Sequence, residues 1–277
     1  MEKPMVGIVV VTFNRLELLK KNIEAIKNQT YDNYQVYIIN NASTDGTYEY
    51  LKTTDLGEKF SIIHMKENTG GAGGFYKGIK TAFEDNCDFI WGMDDDAIPD
   101  SDALEKILNY VRECNDKVCY VSNVIHDEKF PDKNGLIEKN TFLFLGFFIP
   151  GHLVETIGLP RKELFIYFDD LEYSMRAKKA GYKIYTVIES VIRHPAMMNN
   201  SKKFVFLGKK FDVQDMPEWK WYYYMRNAVL AFPKNENKNF RRSTKRLLLG
   251  VLLAYPQKFG SALQGYVHGL MGKSGKR

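Results

Sequence analysis

Cysteine is scarce in this 277-residue chain: Cys87, Cys114 and Cys119 are odd in number and show no Cys-x-x-Cys spacing. That excludes a disulfide-stapled scaffold and a structural zinc site, and fits thiols kept in a reducing compartment. Long apolar runs are also missing, the longest at 142–150 and 247–255 falling well short of the roughly 20 residues that span a bilayer. The chain opens without a basic, then apolar, then small-residue leader, so no secretory signal and a cytoplasmic location are expected. No fixed-period repeat or low-complexity linker is present. Two phosphate-binding signatures are incomplete. Counting from Gly71, Tyr76 stands where a dinucleotide fingerprint needs its third glycine, and the Gly-Lys-Ser at 272–274 has Val267 where a P-loop needs its first.

What is present begins with an uneven charge distribution. The net charge is +5, but residues 233–277 carry ten Lys and Arg against Glu236 alone, a balance of +9 that leaves −4 for the rest. Such a tail is either a solvated surface or, because 241–246 abuts the apolar stretch 247–253, a peripheral contact for an anionic bilayer. Nucleic acid is not an expected partner, since no recognition motif accompanies the basic residues.

Periodicity gives the fold class. Short β-branched or aromatic-rich runs at 6–11 and 34–39 flank a segment, 16–28, with Leu16, Leu19, Ile23 and Ile26 at helical spacing. A turn at 42–47, a helix to about Lys52, a strand near 60–65, a helix at 74–83, a strand at 89–93 and a helix at 101–114 continue the alternation. The expectation is an α/β fold with a mostly parallel sheet flanked by helices. A catalytic domain over 1–210 and a mainly helical C-terminal extension over 211–277 are expected, with a soft boundary near 199–216.

Ligands in such sheets gather beyond the carboxyl ends of the strands, and polar chemistry clusters there. Asp94-Asp95-Asp96 follows the apolar run 89–93. In an extended chain Asp94 and Asp96 point to one side, as a hard divalent cation completed by diphosphate and water would need. Asp169-Asp170 open a helical pattern that runs to Gly181; they are either an ordinary acidic helix start or a general base with its neighbour. Gly70, Gly71, Gly73 and Gly74 follow a strand, where bare backbone can approach phosphate or sugar oxygens. His194 follows a strand at 184–188 and is either structural or a metal ligand. The aromatic belt 219–227 is core, carbohydrate platform or membrane-facing surface, and Arg226 within it is a cation suited to a leaving diphosphate.

Together, residues 10–15, 40–47, 68–75, 93–97, 168–176 and His194 resemble family 2 glycosyltransferases, and within them the bacterial galactofuranosyl- and rhamnosyltransferase-like branch. The likeness runs from Val6 to about Asn227. It implies a GT-A-type, Rossmann-like fold and an inverting, metal-dependent transfer from UDP-galactofuranose or dTDP-rhamnose to a glycan or lipid-linked glycan acceptor. By resemblance, Thr12, Asn14, Arg15, Asn40 and Asn68 line the nucleotide pocket, with Asp95 beside them. Asp94, Asp96 and His194 hold Mn²⁺ or Mg²⁺, Asp170 is the base, and Asp169 and Glu172 support the acceptor. The glycine-rich 70–75 lies by the donor sugar. The family commonly has Asp where this chain has Asn40, a position associated with the nucleotide base. Two other readings compete. A sugar-nucleotide pyrophosphorylase would need a basic glycine-rich loop where Thr12-Phe13-Asn14-Arg15 stands, and a noncatalytic carbohydrate-binding protein leaves Asp94, Asp96 and Asp170 unexplained.

Overall fold

A computed structural model describes residues 3–111, 117–126, 134–195, 200–232 and 238–277. Cys114 and Glu236, named above, lie outside the described residues. The chain divides into two compact units, residues 1–162 with 173–196, and residues 163–172 with 197–277. The expected boundary near 210 is therefore displaced, because a hairpin beginning at Ser201 and a short stretch around Asp169 both cluster with the C-terminal helices.

In the first unit, β1 (Val6–Thr12), α1 (Leu16–Lys27), β2 (Tyr34–Asn40), α2 (Thr47–Thr53), β3 (Phe60–His64), α3 (Gly70–Glu84) and β4 (Phe89–Asp94) alternate as the periodicity predicts. Then come β5 (Ile98–Pro99), α4 (Ala103–Val111), β6 (Val118–Ile125), β7 (Leu136–Lys139), β8 (Phe147–Pro150), α5 (His152–Ile157), α6 (Asp169–Lys179, whose first turn groups with the second unit) and β9 (Lys183–Arg193). The strands form one sheet in the order β3-β2-β1-β4-β8-β6-β9-β5, with β7 paired to β9. Pairs β3-β2, β2-β1, β1-β4 and β6-β9 are parallel. Strand β8 runs antiparallel to both β4 and β6.

Every residue of β1 is buried, which is why it reads as an unbroken apolar run rather than an alternation. Ile8 and Val10 pack on one face with Leu19, Ile23 and Trp91, while Val9 and Val11 pack on the other with Phe75 and Ile79. Helix α3 starts at Gly70, four residues earlier than the periodicity suggests, so the glycines are helix rather than loop. Their spacing serves packing. A Cβ at Gly74 would meet Val11 Cγ1 at 2.5 Å, and one at Gly78 would meet Val9 Cγ1 at 2.2 Å. Only glycine lets this helix lie that close to β1.

The second unit holds β10 (Ser201–Phe206) and β11 (Lys209–Gln214), an antiparallel hairpin, followed by α7 (Glu218–Leu230), α8 (Lys238–Ala254) and α9 (Pro256–Leu270). Its core gathers Phe211, Val213, Met216, Trp221, Met225, Val251 and Tyr255. Among the described residues no helix is long and apolar enough to cross a membrane.

Candidate active site

Four parallel strand ends stand in a row. The register sets His64 beside Asn40, Asn40 beside Thr12, and Val11 beside Asp94. Adjacent strands lie about 4.8 Å apart, so these four ends build one polar edge from residues far apart in sequence.

The acidic run does not continue as a strand. Strand β4 ends at Asp94 and the chain turns, Ala97 N–H donating to Asp94 O at 3.2 Å. The same-side argument for Asp94 and Asp96 therefore fails, and Asp95 and Asp96 instead share Arg15 while facing other partners of their own. Asp95 is buried and accepts from Thr12 Oγ1 at 2.7 Å, Phe13 N–H at 3.4 Å and Arg15 Nη1 at 3.3 Å. Burial pushes its pKa up against those donors. It ties the loop after β1 to the end of β4.

Asp96 pairs through Oδ2 with Arg15. Its Oδ1 is buried, accepts no hydrogen bond, and lies 3.2 Å from His194 Nε2, within ion-pair reach but out of line for a hydrogen bond. Strand β9 is longer than expected, reaching Arg193, and it carries His194 to this point. Burial works against the Arg15 charge, but Asp96, Asp95 and Asp94 outweigh it and raise the pKa, so all three acids act on this guanidinium.

Among the described residues no group of three or more His, Cys, Asp or Glu is arranged to enclose a cation. The orphaned Asp96 oxygen facing an imidazole nitrogen nevertheless fits a hard cation completed by diphosphate oxygens and water, since cis ligands around such an ion lie about 3 Å apart.

Asn14 sits at a left-handed φ of 54° and its side chain accepts from Thr44 N–H at 2.7 Å. With Arg15, Leu16 and Asp45 it lines an open depression of about 430 Å³. Asn40 accepts from Ser43 N–H at 3.0 Å and turns its amide nitrogen to His64 Nδ1 at 3.1 Å. Burial, with Lys52 nearby, lowers the His64 pKa, so the neutral ring accepts this bond. The ring also packs 4.4 Å from Tyr48. His64 and Tyr48 escaped the sequence reading, although a strand-end histidine beside an asparagine-ended strand was the available signal.

Asn68 Oδ1 accepts from Gly70 N–H at 2.8 Å and from Asn41, whose own Oδ1 accepts from Thr69 N–H at 2.9 Å. These bonds organise the start of α3. Gly73 is occupied similarly, a Cβ there meeting Thr69 Oγ1 at 2.3 Å, whereas Gly71 has open space around it. The expectation that the whole glycine run faces a donor is thus narrowed to its first turn.

The second unit carries the paired acids. Asp169 is buried, and burial followed by the charge of Asp170 pushes its carboxyl up to about 8. Asp170 accepts from Leu171 N–H at 2.6 Å. The chain enters this helix through an unusual path, with Phe165, Tyr167 and Phe168 all left-handed at φ 67–68°. Asn227, fully buried, holds it, donating from Nδ2 to Leu164 O at 2.7 Å, Ile166 O at 2.7 Å and Tyr167 O at 3.1 Å. Arg226 donates to Asn227 Oδ1, Leu164 O and Glu163 O at 2.8, 2.9 and 3.3 Å, and also to Gly275 O. Its guanidinium, expected on a diphosphate, is buried among backbone carbonyls, and burial lowers its pKa. The aromatic belt is core here: Phe165 stacks on Tyr223 and Phe168 meets Tyr224 edge-on.

Residues 7–165 match the family described as Glycosyl transferase family 2. The galactofuranosyltransferase GlfT1 of Mycolicibacterium smegmatis is 25% identical over 91% of this chain and 84% of its own length, and that of Mycobacterium tuberculosis is 25% identical over 81% and 82%. Among solved structures, residues 1–349 of S. aureus TarS in complex with UDP-GlcNAc align with TM-score 0.62 at 12% identity, covering 96% of this chain and 81% of that one. The mannosyltransferase PcManGT from Pyrobaculum calidifontis, in complex with GDP-Man and Mn²⁺, aligns with TM-score 0.60 at 14% identity, covering 98% and 88%. At those identities the structures support the fold.

Proposed function

The chain belongs to glycosyl transferase family 2, and on that premise we propose an inverting enzyme that moves galactofuranose from UDP-galactofuranose to a hydroxyl of a growing cell-surface glycan. The observation that carries a nucleotide-sugar donor is the row of strand ends His64, Asn40, Thr12 and Asp94, with Asp96 and His194 converging beside it. GlfT1 relatives favour the galactofuranose donor over dTDP-rhamnose.

Thr12, Asn14, Arg15, Asn40 and Asn68 would seat the nucleotide, Gly71 the donor sugar, and Asp95 would hold that loop in shape. Asp94, Asp96 and His194 would hold Mn²⁺ or Mg²⁺, which when bound neutralises charge growing on the departing diphosphate. Asp170 would take the acceptor hydroxyl proton as that oxygen attacks the anomeric carbon from the face opposite the diphosphate, inverting its configuration. Asp169, its ionisation opposed by burial, would keep a proton and donate to the acceptor rather than compete as base. Glu172, one turn on, would assist.

The basic segment bears on location. Exposed Arg242, Lys245, Arg246, Leu249, Leu252 and Leu253 recur along one stripe of α8, basic toward its start and apolar toward its end, which supports peripheral contact with an anionic bilayer.

The test is diphosphate release with Mn²⁺ from UDP-galactofuranose, UDP-galactopyranose, UDP-glucose and dTDP-rhamnose, with and without a lipid-linked acceptor. Release from UDP-galactofuranose alone is expected. Nucleotide that binds without turnover on any of the four would sink the donor assignment. In parallel, Asp170→Asn should abolish transfer while donor binding persists, and near-normal turnover would remove Asp170 as base.

A further inference from the structure

The hairpin of β10 and β11 ends in a turn that the fold alone does not account for. Phe206 pairs with Lys209, leaving Leu207 and Gly208 as a two-residue connection with φ of 47° and 70°. A turn left-handed at both positions favours Asn-Gly, and leucine there is disfavoured by its Cβ. No burial compensates. Leu207 is 84% exposed, Val205 65% and Phe206 40%.

The base of the hairpin is anchored by contrast. Phe211 and Val213 are buried, Phe204 stacks on Phe211 at 5.1 Å, and a Cβ on Gly250 of α8 would meet Val213 at 2.9 Å. A rigid stem thus carries an apolar tip into solvent. Lys209 and Lys210 flank that tip, while Lys203, lower on the stem, lies 3.8 Å from Asp212, the one acid of the hairpin, and Lys202 at the base donates to Ala254 O. Residues 197–277 as a whole hold sixteen Lys and Arg against four Asp and Glu.

We propose that the Val205-Phe206-Leu207 tip is a membrane wedge that enters the interface of an anionic bilayer while the flanking lysines meet lipid phosphates. A second copy of this chain fits poorly, because two such tips would bring four lysines, Lys209 and Lys210 of each copy, together. Nucleic acid fits the charge, but no recognition motif accompanies the basic residues. The assignment rests on the peripheral contact read from α8 and adds a second anchor to it.

The experiment is co-sedimentation of the full chain with vesicles of mixed phosphatidylglycerol and phosphatidylcholine, and of phosphatidylcholine alone. Leu207→Asn suits the turn better than leucine and should not lower the melting temperature, so weaker binding cannot be put down to misfolding. The expected result is binding to anionic vesicles only, weakened about tenfold by Leu207→Asn and about fivefold for each of Lys209→Gln and Lys210→Gln. Wild-type affinity in Leu207→Asn would overturn the wedge, and if Leu252→Asp then released the protein, α8 alone would be the anchor. Failure of the wild-type chain to bind any vesicle would remove both readings. Equal binding to neutral vesicles would refute the role of the lysines. A change of oligomeric state in Leu207→Asn by sedimentation velocity would make a second copy the occupant.

Discussion

Asn227→Ala tests whether one buried amide governs the approach to the paired acids. The side chain has no exposed surface, and its Nδ2 serves three carbonyls within residues 164–167. Leu164 O keeps its bond from Arg226, so the truncation falls on Ile166 O, Tyr167 O and the Arg226 Nε–H that donated to Asn227. At about 1–3 kcal/mol for each buried group left unpaired, and with water able to enter the vacated space, a loss of about 2–4 kcal/mol follows. The same segment holds three non-glycine residues in left-handed backbone, each disfavoured by about 1–2 kcal/mol, so it relaxes once the amide is gone. Asp169 and Asp170 begin α6 directly after it. Denaturant unfolding should show a transition of lowered midpoint, and turnover well below that midpoint should fall at least about tenfold, the rate equivalent of 1.4 kcal/mol of lost transition-state stabilisation. Donor affinity by calorimetry should be retained, and it counts the folded sites. Asn227→Asp, which sets an acceptor against three acceptors, should be worse than alanine. An unchanged unfolding midpoint with turnover within about twofold of wild type would refute the reasoning.

Other consequences are equally direct. Asp169 binds its proton more tightly folded than unfolded, so stability should fall as pH rises from about 4 toward 8, by up to about 1.4 kcal/mol per pH unit, and Asp169→Asn should flatten that slope in melting curves. A slope unchanged in the variant would assign the titration elsewhere. Gly78→Ala should destabilise by about 1–3 kcal/mol because its Cβ meets Val9, whereas Gly71→Ala, with open space and helical backbone, should stabilise by about 0.5–1 kcal/mol. Weaker donor binding in stable Gly71→Ala would support its place beside the sugar, and unchanged affinity would remove it. Asp96→Ala should weaken nucleotide binding only when Mn²⁺ is present; a titration identical with and without the metal would discard Asp96 as a ligand.

The strand-helix alternation, the α/β class and the strand ends as places for chemistry were legible in the sequence, because both periodicities are local and the buried run 6–11 admits little but a central strand. The acidic turn and the paired acids were visible as residues, and the family likeness attached roles to them. Partnership was not. Asp96 meets His194 across 98 residues of chain, and Asn227 reaches Ile166 across 61, through pairings no local pattern encodes. The glycines at 70–74 illustrate the difference: their number was plain, but whether bare backbone faced a ligand or Val11 depended on how close α3 comes to β1. Arg226 shows it again, since a lone arginine reads as a free cation until packing surrounds it with carbonyls. Composition and periodicity fix which segments become strands and helices, because those follow from each segment's own backbone and burial preferences. Only tertiary structure decides which polar atoms are consumed holding the chain together and which are left to act.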